Sequence, residues 1–219
     1  MLMPGVDATR VVVLRHGQTA WNAGQRIQGH TDIPLDATGL WQAERLAEAL
    51  AAEGITHIYS SDLARAHATA AALARRTGLA VQTDARLRER GFGAFEGLSY
   101  AEIGQRWPED AERWRRREPA FQPGGGESLI SFQIRCAAVA TELAARHPGA
   151  TLALVAHGGV LDMLYRLATG QALEAPRSWA LGNATINRLL WTGEGFTLVG
   201  WNDDAHLAVD APQTVADSP

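Results

Sequence analysis

A single cysteine in 219 residues rules out an internal disulfide, and a reducing cytoplasm is the expected setting. Cys136 itself reads as a small, buried, apolar residue on a helix. An excess of positive charge is also missing: 20 Lys and Arg stand against 24 Asp and Glu, a formal charge of −4. That balance argues against a general binder of nucleic acid or of an anionic membrane, so any anion site must be a local concentration of cations. No apolar run approaches the roughly 20 residues needed to cross a bilayer. The opening Met1-Leu2-Met3-Pro4-Gly5-Val6-Asp7 has no basic region followed by an apolar core, so no signal peptide is expected. Internal repeats, low-complexity blocks and ligand clusters with metal spacing are absent too, so neither a metal nor a cofactor is implied. A hydrophobic share of 46% and a charged share of 20% leave a soluble globular chain long enough for one well-cored domain.

The stretch Arg10-Val11-Val12-Val13-Leu14-Arg15-His16-Gly17 organises the rest. A β-branched, apolar run reads as a buried parallel strand that delivers Arg15 and His16 to the carboxyl edge of a sheet. Ligands of open α/β sheets bind beyond that edge. The pattern recurs where Thr151-Leu152-Ala153-Leu154-Val155-Ala156 runs into His157-Gly158-Gly159. Two histidines at strand ends look like two halves of one site.

Between them, a polar loop is expected from Trp21 to Asp36, then a helix capped by Thr38 with Leu40, Ala43, Leu46, Ala47 and Leu50 on one face and Gly54 at its end. Ile55 to Ser60 and Val81 to Thr83 read as strands around an alanine-rich helix from Leu63 to about Thr77, with Arg65 in its first turn. Ser99 with Glu102 makes a capping box, Pro108 suits a first helical position, and Gly124-Gly125-Gly126 breaks the chain. Residues of about 94–126 are therefore expected to form a small helical lid within a single domain of 1–219. A long helix follows from Glu127 to Arg146, another from Val160 to Thr169, then a hairpin of Asn183 to Trp191 with Phe196 to Trp201, and a loose tail over about 208–219.

Taken singly, the polar residues have bland readings: Arg65 a solvated helix charge, His157 a hydrogen-bonded histidine, Glu89 a surface ion pair with Arg88 and Arg90. Together they are harder to dismiss. Arg15, His16, Arg65 and His157 all fall at the same predicted edge, where they would repel one another unless an anion sat between them. A phosphoryl group meets that need, since guanidinium forks bind its oxygens in pairs. Two neighbouring arginines also keep an imidazole neutral, the form a nucleophile requires.

Leu14-Arg15-His16-Gly17, Ser60-Ser61-Asp62-Leu63-Ala64-Arg65-Ala66, Leu87-Arg88-Glu89 and Ala156-His157-Gly158-Gly159 resemble, in order, the motifs of the histidine phosphatase superfamily, also called phosphoglycerate-mutase-like. The resemblance runs from about residue 10 to about 202. It implies an α/β three-layer sandwich with a mostly parallel central sheet, helices on both faces and a helical insertion over the site. It further implies that His16 attacks phosphorus, that Arg15, Arg65 and His157 hold the oxygens, and that Glu89 protonates the leaving group. Asn22 matches a position that also contacts the phosphate, Gln28 and Gly29 match loop positions that line the pocket, and Gly158 is implied as a further substrate-binding residue. No divalent metal takes part in such a reaction, and the resemblance leaves a homodimer open.

Within that family the run from Glu89 to Leu98 is similar to phosphoglycerate mutases, but those enzymes have tyrosine at Phe92, lysine at Tyr100, asparagine at Gly159 and a longer lid. Without these polar contacts a phosphorylated intermediate is poorly retained and water should win. Hydrolysis of a phosphomonoester of some small metabolite is therefore expected, with the mutase reaction and non-catalytic binding of a phospho-ligand as alternatives. Sugar phosphates, phosphoglycerate derivatives, nucleotides and α-ribazole phosphate all stay open as substrates. Trp114-Arg115-Arg116-Arg117, among Glu109, Asp110, Glu112 and Glu118, reads as a charged outer face. An arginine turned inward would instead signal a second anionic group on the substrate. The aromatics Phe92, Phe95, Tyr100, Trp107, Trp114 and Phe121 are expected as the core of the lid.

Overall fold

A computed structural model describes residues 7–208, so the opening six residues and all but Ala208 of the expected tail lie outside the described residues. The chain runs β1 (Thr9–Arg15), α1 (Ala20–Ala23), α2 (Ala37–Ala49), β2 (His57–Ser60), α3 (Ala64–Thr77) and β3 (Val81–Thr83). It continues through α4 (Tyr100–Arg106), α5 (Pro108–Arg115), α6 (Leu129–Arg146), β4 (Thr151–Ala156), α7 (Gly158–Thr169), β5 (Ile186–Trp191) and β6 (Phe196–Asp203). The strands form one sheet in the order β3-β2-β4-β1-β5-β6, with β1 to β4 parallel and the β5–β6 hairpin antiparallel at one edge.

Alternation along the central strands builds the sandwich. Val11 and Val13 of β1, with Leu152 and Leu154 of β4, face Phe132, Cys136, Val139 and Leu161 on α6 and α7. Val12 and Leu14, with Ala153 and Val155, face Leu46, Leu50, Ala66, Ala70 and Leu73 beneath α2 and α3. Burial on both faces is why these strands read as continuous apolar runs, and each buried aliphatic side chain contributes about 1.5–3 kcal/mol. Cys136 is fully buried, as expected.

The register sets the site. Arg15 pairs with Ala156 across the β1–β4 ladder, and His16 N–H still donates to the Ala156 carbonyl at 3.0 Å. His16 and His157 therefore leave adjacent strands side by side. A third apolar cluster lies away from the sheet: Ile27, Phe95 and Ile103 pack with half-buried Phe92, Trp107 and Trp114. Phe121 is buried, whereas Tyr100 is exposed and stacks on Trp114, so the six aromatics do not all serve as core.

Several boundaries differ from the sequence reading. Asp36, not Thr38, caps α2, because its carboxylate reaches Gly39 N–H at 2.8 Å; Leu40 then turns outward. The start of the expected polar loop is taken up by α1, which begins at Ala20 and whose capping box joins Thr19 to Asn22. Strand β2 starts two residues late, at His57. Ser128 caps α6, leaving Glu127 outside the helix to accept from Gly91 N–H and Arg135. Helix α7 begins at Gly158, ahead of the expected Val160. The hairpin strand starts at Ile186 because Asn183 and Ala184 turn to bond the carbonyls of Arg15 and His16.

Candidate active site

One cavity of about 1180 Å³ opens beyond the carboxyl ends of β1, β2 and β4. It is lined by Arg15, His16, Asn22, Gln28, Gly29, Arg65, Glu89 and Gly158, which the sequence had singled out, and His157 is fully buried with its ring centroid 5.1 Å from that of His16. All twenty basic residues of the chain are arginine, so every cation available here is a fork rather than a point charge.

Each imidazole has its tautomer set by a neighbour. His16 Nδ1 lies 2.7 Å from the Gly17 carbonyl, an acceptor only, so Nδ1 carries the proton and Nε2 keeps a free lone pair. Arg65 Nε donates to His157 Nδ1 at 3.3 Å, which leaves His157 Nε2 as the N–H, buried and without a partner. Burial, with Arg15 and Arg65 close by, holds both rings well below the ordinary histidine range. Both are therefore neutral at pH 7, one a lone-pair donor and the other a hydrogen-bond donor.

Arg65 stands at the start of α3 and is completely buried. Its Nη1 and Nη2 donate to the carbonyls of Thr31 and Gly29 at 3.0 and 2.8 Å, which fixes the plane of the fork. Gly29 can bend to that guanidinium because it has φ +55 and no side chain; a Cβ there would meet the Glu96 carboxylate at 2.1 Å. Glu96 ties the same loop by accepting from His30 and Thr31 N–H groups and from the Thr31 hydroxyl. Arg15 donates to the Leu181 carbonyl, its Nε is buried without a partner, and burial lowers its pKa to about 10. Asn22 Oδ1 is consumed by Thr19 N–H, the Thr19 hydroxyl and Asn183, so its amide donor is the free end. Gln28 is buried with Oε1 unpartnered.

Glu89 is not the surface ion pair that its neighbours suggested. Arg88 pairs with Asp62, and Arg90 turns inward to the carbonyls of Glu127 and Phe121. The Glu89 carboxylate instead lies over the start of α7: Oε2 accepts from Gly159 N–H at 3.0 Å and Oε1 from Arg90 N–H at 2.8 Å. Behind it, Arg135 donates to the carbonyls of Arg86, Arg88 and Glu89.

Of the three consecutive arginines, Arg115 and Arg116 pair outward with Glu112. Arg117 turns in to Asp162 at 2.9 Å, so a residue of the protein already meets its charge. Asp162, Arg135 and Arg177 were not among the expected site residues. An acidic residue inside Val160-Leu161-Asp162-Met163-Leu164, an otherwise apolar helix stretch one turn past His157-Gly158, was the signal for the first. Arg135 and Arg177 carry no local signal. Among the described residues no cluster of His, Cys, Asp and Glu is arranged to hold a metal ion, and no helix is long and apolar enough to cross a membrane.

The sequence profile of the histidine phosphatase superfamily (branch 1) matches residues 11–204. The chain is 40% identical over 206 residues to phosphoglycerate mutase-like protein 4 of Arabidopsis thaliana, spanning 92% of this chain and 88% of that one. It is 38% identical over 213 residues to glucosyl-3-phosphoglycerate phosphatase of Mycobacterium tuberculosis, spanning 90% and 93%. The solved structure of a mycobacterial glucosyl-3-phosphoglycerate phosphatase superposes with a TM-score of 0.80 at 37% identity, over 90% of this chain and 99% of that one.

Proposed function

This chain belongs to the histidine phosphatase superfamily, branch 1, and from that premise we propose that it hydrolyses the phosphomonoester of a small metabolite through a phosphohistidine at His16. The observation that carries this reading is the complementary pair of neutral imidazoles, a lone pair on His16 Nε2 beside an unpartnered N–H on His157. Binding an anion alone needs donors and has no use for the lone pair.

In the first step His16 Nε2 bonds to phosphorus while the P–O bond to the leaving group breaks, and the Glu89 carboxylic acid gives that oxygen its proton. In the second, water attacks phosphorus, Glu89 takes the water's proton, the N–P bond breaks and inorganic phosphate leaves. Arg15, Arg65 and the His157 N–H face the equatorial oxygens, where the transition state spreads its charge. Asn22 offers its amide donor to the same group, Gly158 brings the amino end of α7 toward it, and Gln28 and Gly29 form the wall. The insertion of about 94–126 is read as a lid on a single domain, and the lone buried cysteine supports a cytoplasmic setting.

Phosphoglycerate mutase activity is the second reading, favoured by the mutase-like relative. Against it, Gly159 admits no side chain while Glu89 keeps its place. The deciding experiment measures p-nitrophenyl phosphate hydrolysis by wild type and His16→Ala, alongside 2,3-bisphosphoglycerate-dependent conversion of 3- to 2-phosphoglycerate. Hydrolysis that disappears in the variant, with no interconversion, is expected. Equal hydrolysis by both proteins would overturn the proposal.

A further inference from the structure

Asp162 belongs to none of the steps above, yet it lines the same cavity and is 3% exposed. One of its oxygens is used twice: Oδ2 accepts from Arg117 Nη2 at 2.9 Å and from Arg166 Nε at 3.2 Å. Oδ1 is buried and has no hydrogen-bond partner. The two guanidiniums are locked elsewhere as well, Arg117 to the Leu173 carbonyl and Arg166 to the carbonyls of Ala172 and Ala175. The carboxylate is thus held rigidly with one acceptor left open, a state that native proteins rarely leave uncompleted.

Position and charge narrow what completes it. Asp162 lies four residues beyond Gly158 on α7, so roughly 6 Å along the helix from the phosphoryl end of the cavity. That reach corresponds to a carbon chain of a few bonds past the ester oxygen. The partner must be a donor, and it is not an ammonium: Arg15, Arg65 and Arg177 line this cavity without a salt bridge among the described residues and would repel one. Trp21, Phe92 and Trp114 supply aromatic faces for C–H surface.

We propose that Asp162 Oδ1 accepts a hydroxyl of the leaving group, and that the substrates are phosphomonoesters of sugars or comparably hydroxylated carbon chains. This inference rests on the phosphatase reading and adds to it a residue that determines specificity.

The test compares kcat/KM for glycerol 3-phosphate, ribose 5-phosphate and glucose 6-phosphate with that for n-pentyl phosphate. Wild type is expected to prefer at least one hydroxylated ester over the alkyl ester by about tenfold or more, as a buried acceptor left unpaired demands. Asp162→Asn keeps the shape and one oxygen for the guanidiniums but sets an amide donor in place of Oδ1. Its ratio is expected to fall below about threefold. Both substrates are measured on one preparation, so the fraction of folded protein cancels. Should the variant yield no active protein, single-deoxy analogues of the preferred ester on wild type serve instead, and removal of one particular hydroxyl is expected to cause most of the loss. No preference in wild type, an unchanged ratio in Asp162→Asn, or a loss spread evenly over the hydroxyls would overturn the inference. Turnover of p-nitrophenyl phosphate reports separately on the phosphatase reading, which stands or falls without it.

Discussion

Glu89 and Gly159 are locked together across the cavity mouth: Oε2 accepts the Gly159 N–H at 3.0 Å, and a Cβ at position 159 would lie 2.2 Å from Oε1. A side chain at 159 would therefore collide with the carboxylate where it stands, and the ring of Phe132 lies 3.0 Å from that imagined Cβ. Gly159→Ala is expected to displace Glu89 and lower kcat on alkyl phosphates by about a hundredfold, the usual range for a lost general acid. The loss should be milder with p-nitrophenyl phosphate, whose leaving group needs little protonation. Because both changes remove one function, Gly159→Ala with Glu89→Gln is expected to be no worse than Glu89→Gln alone. Additive losses in that double variant, measured as kcat on both esters, would separate the two residues.

Arg65 reaches two loop carbonyls and one imidazole at once, a geometry that only a fork satisfies. Arg65→Lys keeps the charge but frees the loop at Gly29 and Thr31 and releases His157 from its tautomer. A drop in kcat/KM of about a hundredfold or more is expected, the scale of a lost preorganised donor. Steady-state kinetics would check it, with a rate within twofold of wild type counting against the role.

Arg135 donates to the carbonyls of Arg86, Arg88 and Glu89, which on the proposed mechanism makes it a positioning residue for Glu89. Arg135→Gln is expected to lower kcat on alkyl phosphates by about tenfold while leaving KM nearly fixed, since the phosphoryl-binding groups are untouched. A merely structural role would lower the melting temperature and leave the kcat of the folded fraction intact.

The depressed pKa of His16 and of His157 has a definite sign in stability. Above the unfolded value near 6.5 both states are neutral and the fold keeps its full stability. As pH falls below that value the unfolded chain takes up protons that the native protein refuses, so each ring removes about 1.4 kcal/mol per pH unit until its low folded pKa is reached. Urea midpoints between pH 7 and 5.5 should therefore decline, and His157→Gln should flatten the slope. An equal slope in that variant would show that other groups carry the acid sensitivity.

What was legible in the sequence followed from local chemistry. The apolar runs into Arg15-His16-Gly17 and His157-Gly158 gave both strands, and the parallel register then made the two imidazoles neighbours. The capping box of Ser99 with Glu102 stands where its residue types put it. Glu89 was recoverable only from its motif, because the partners that turn Arg88 and Arg90 away, Asp62 and the carbonyls of Glu127 and Phe121, are distant in sequence. Asp162 did carry a local signal, a carboxylate in an apolar helix stretch, but its pairing with Arg117, 45 residues away, did not. The cap of α2 was misplaced because Asp36 and Thr38 are both good caps, and the choice is made by Gln18, whose amide holds the Asp36 carboxylate.

The central claim is that phosphorus bonds to His16 Nε2 during turnover, and the direct measurement is to stop the reaction and look. Wild type should be quenched in alkali within the first turnovers on p-nitrophenyl phosphate, then digested and mapped by mass spectrometry. The account predicts one acid-labile phosphoryl group on the peptide that holds residue 16, formed at least as fast as product and absent from His16→Ala. Steady turnover with that peptide unmodified at every time point would contradict it.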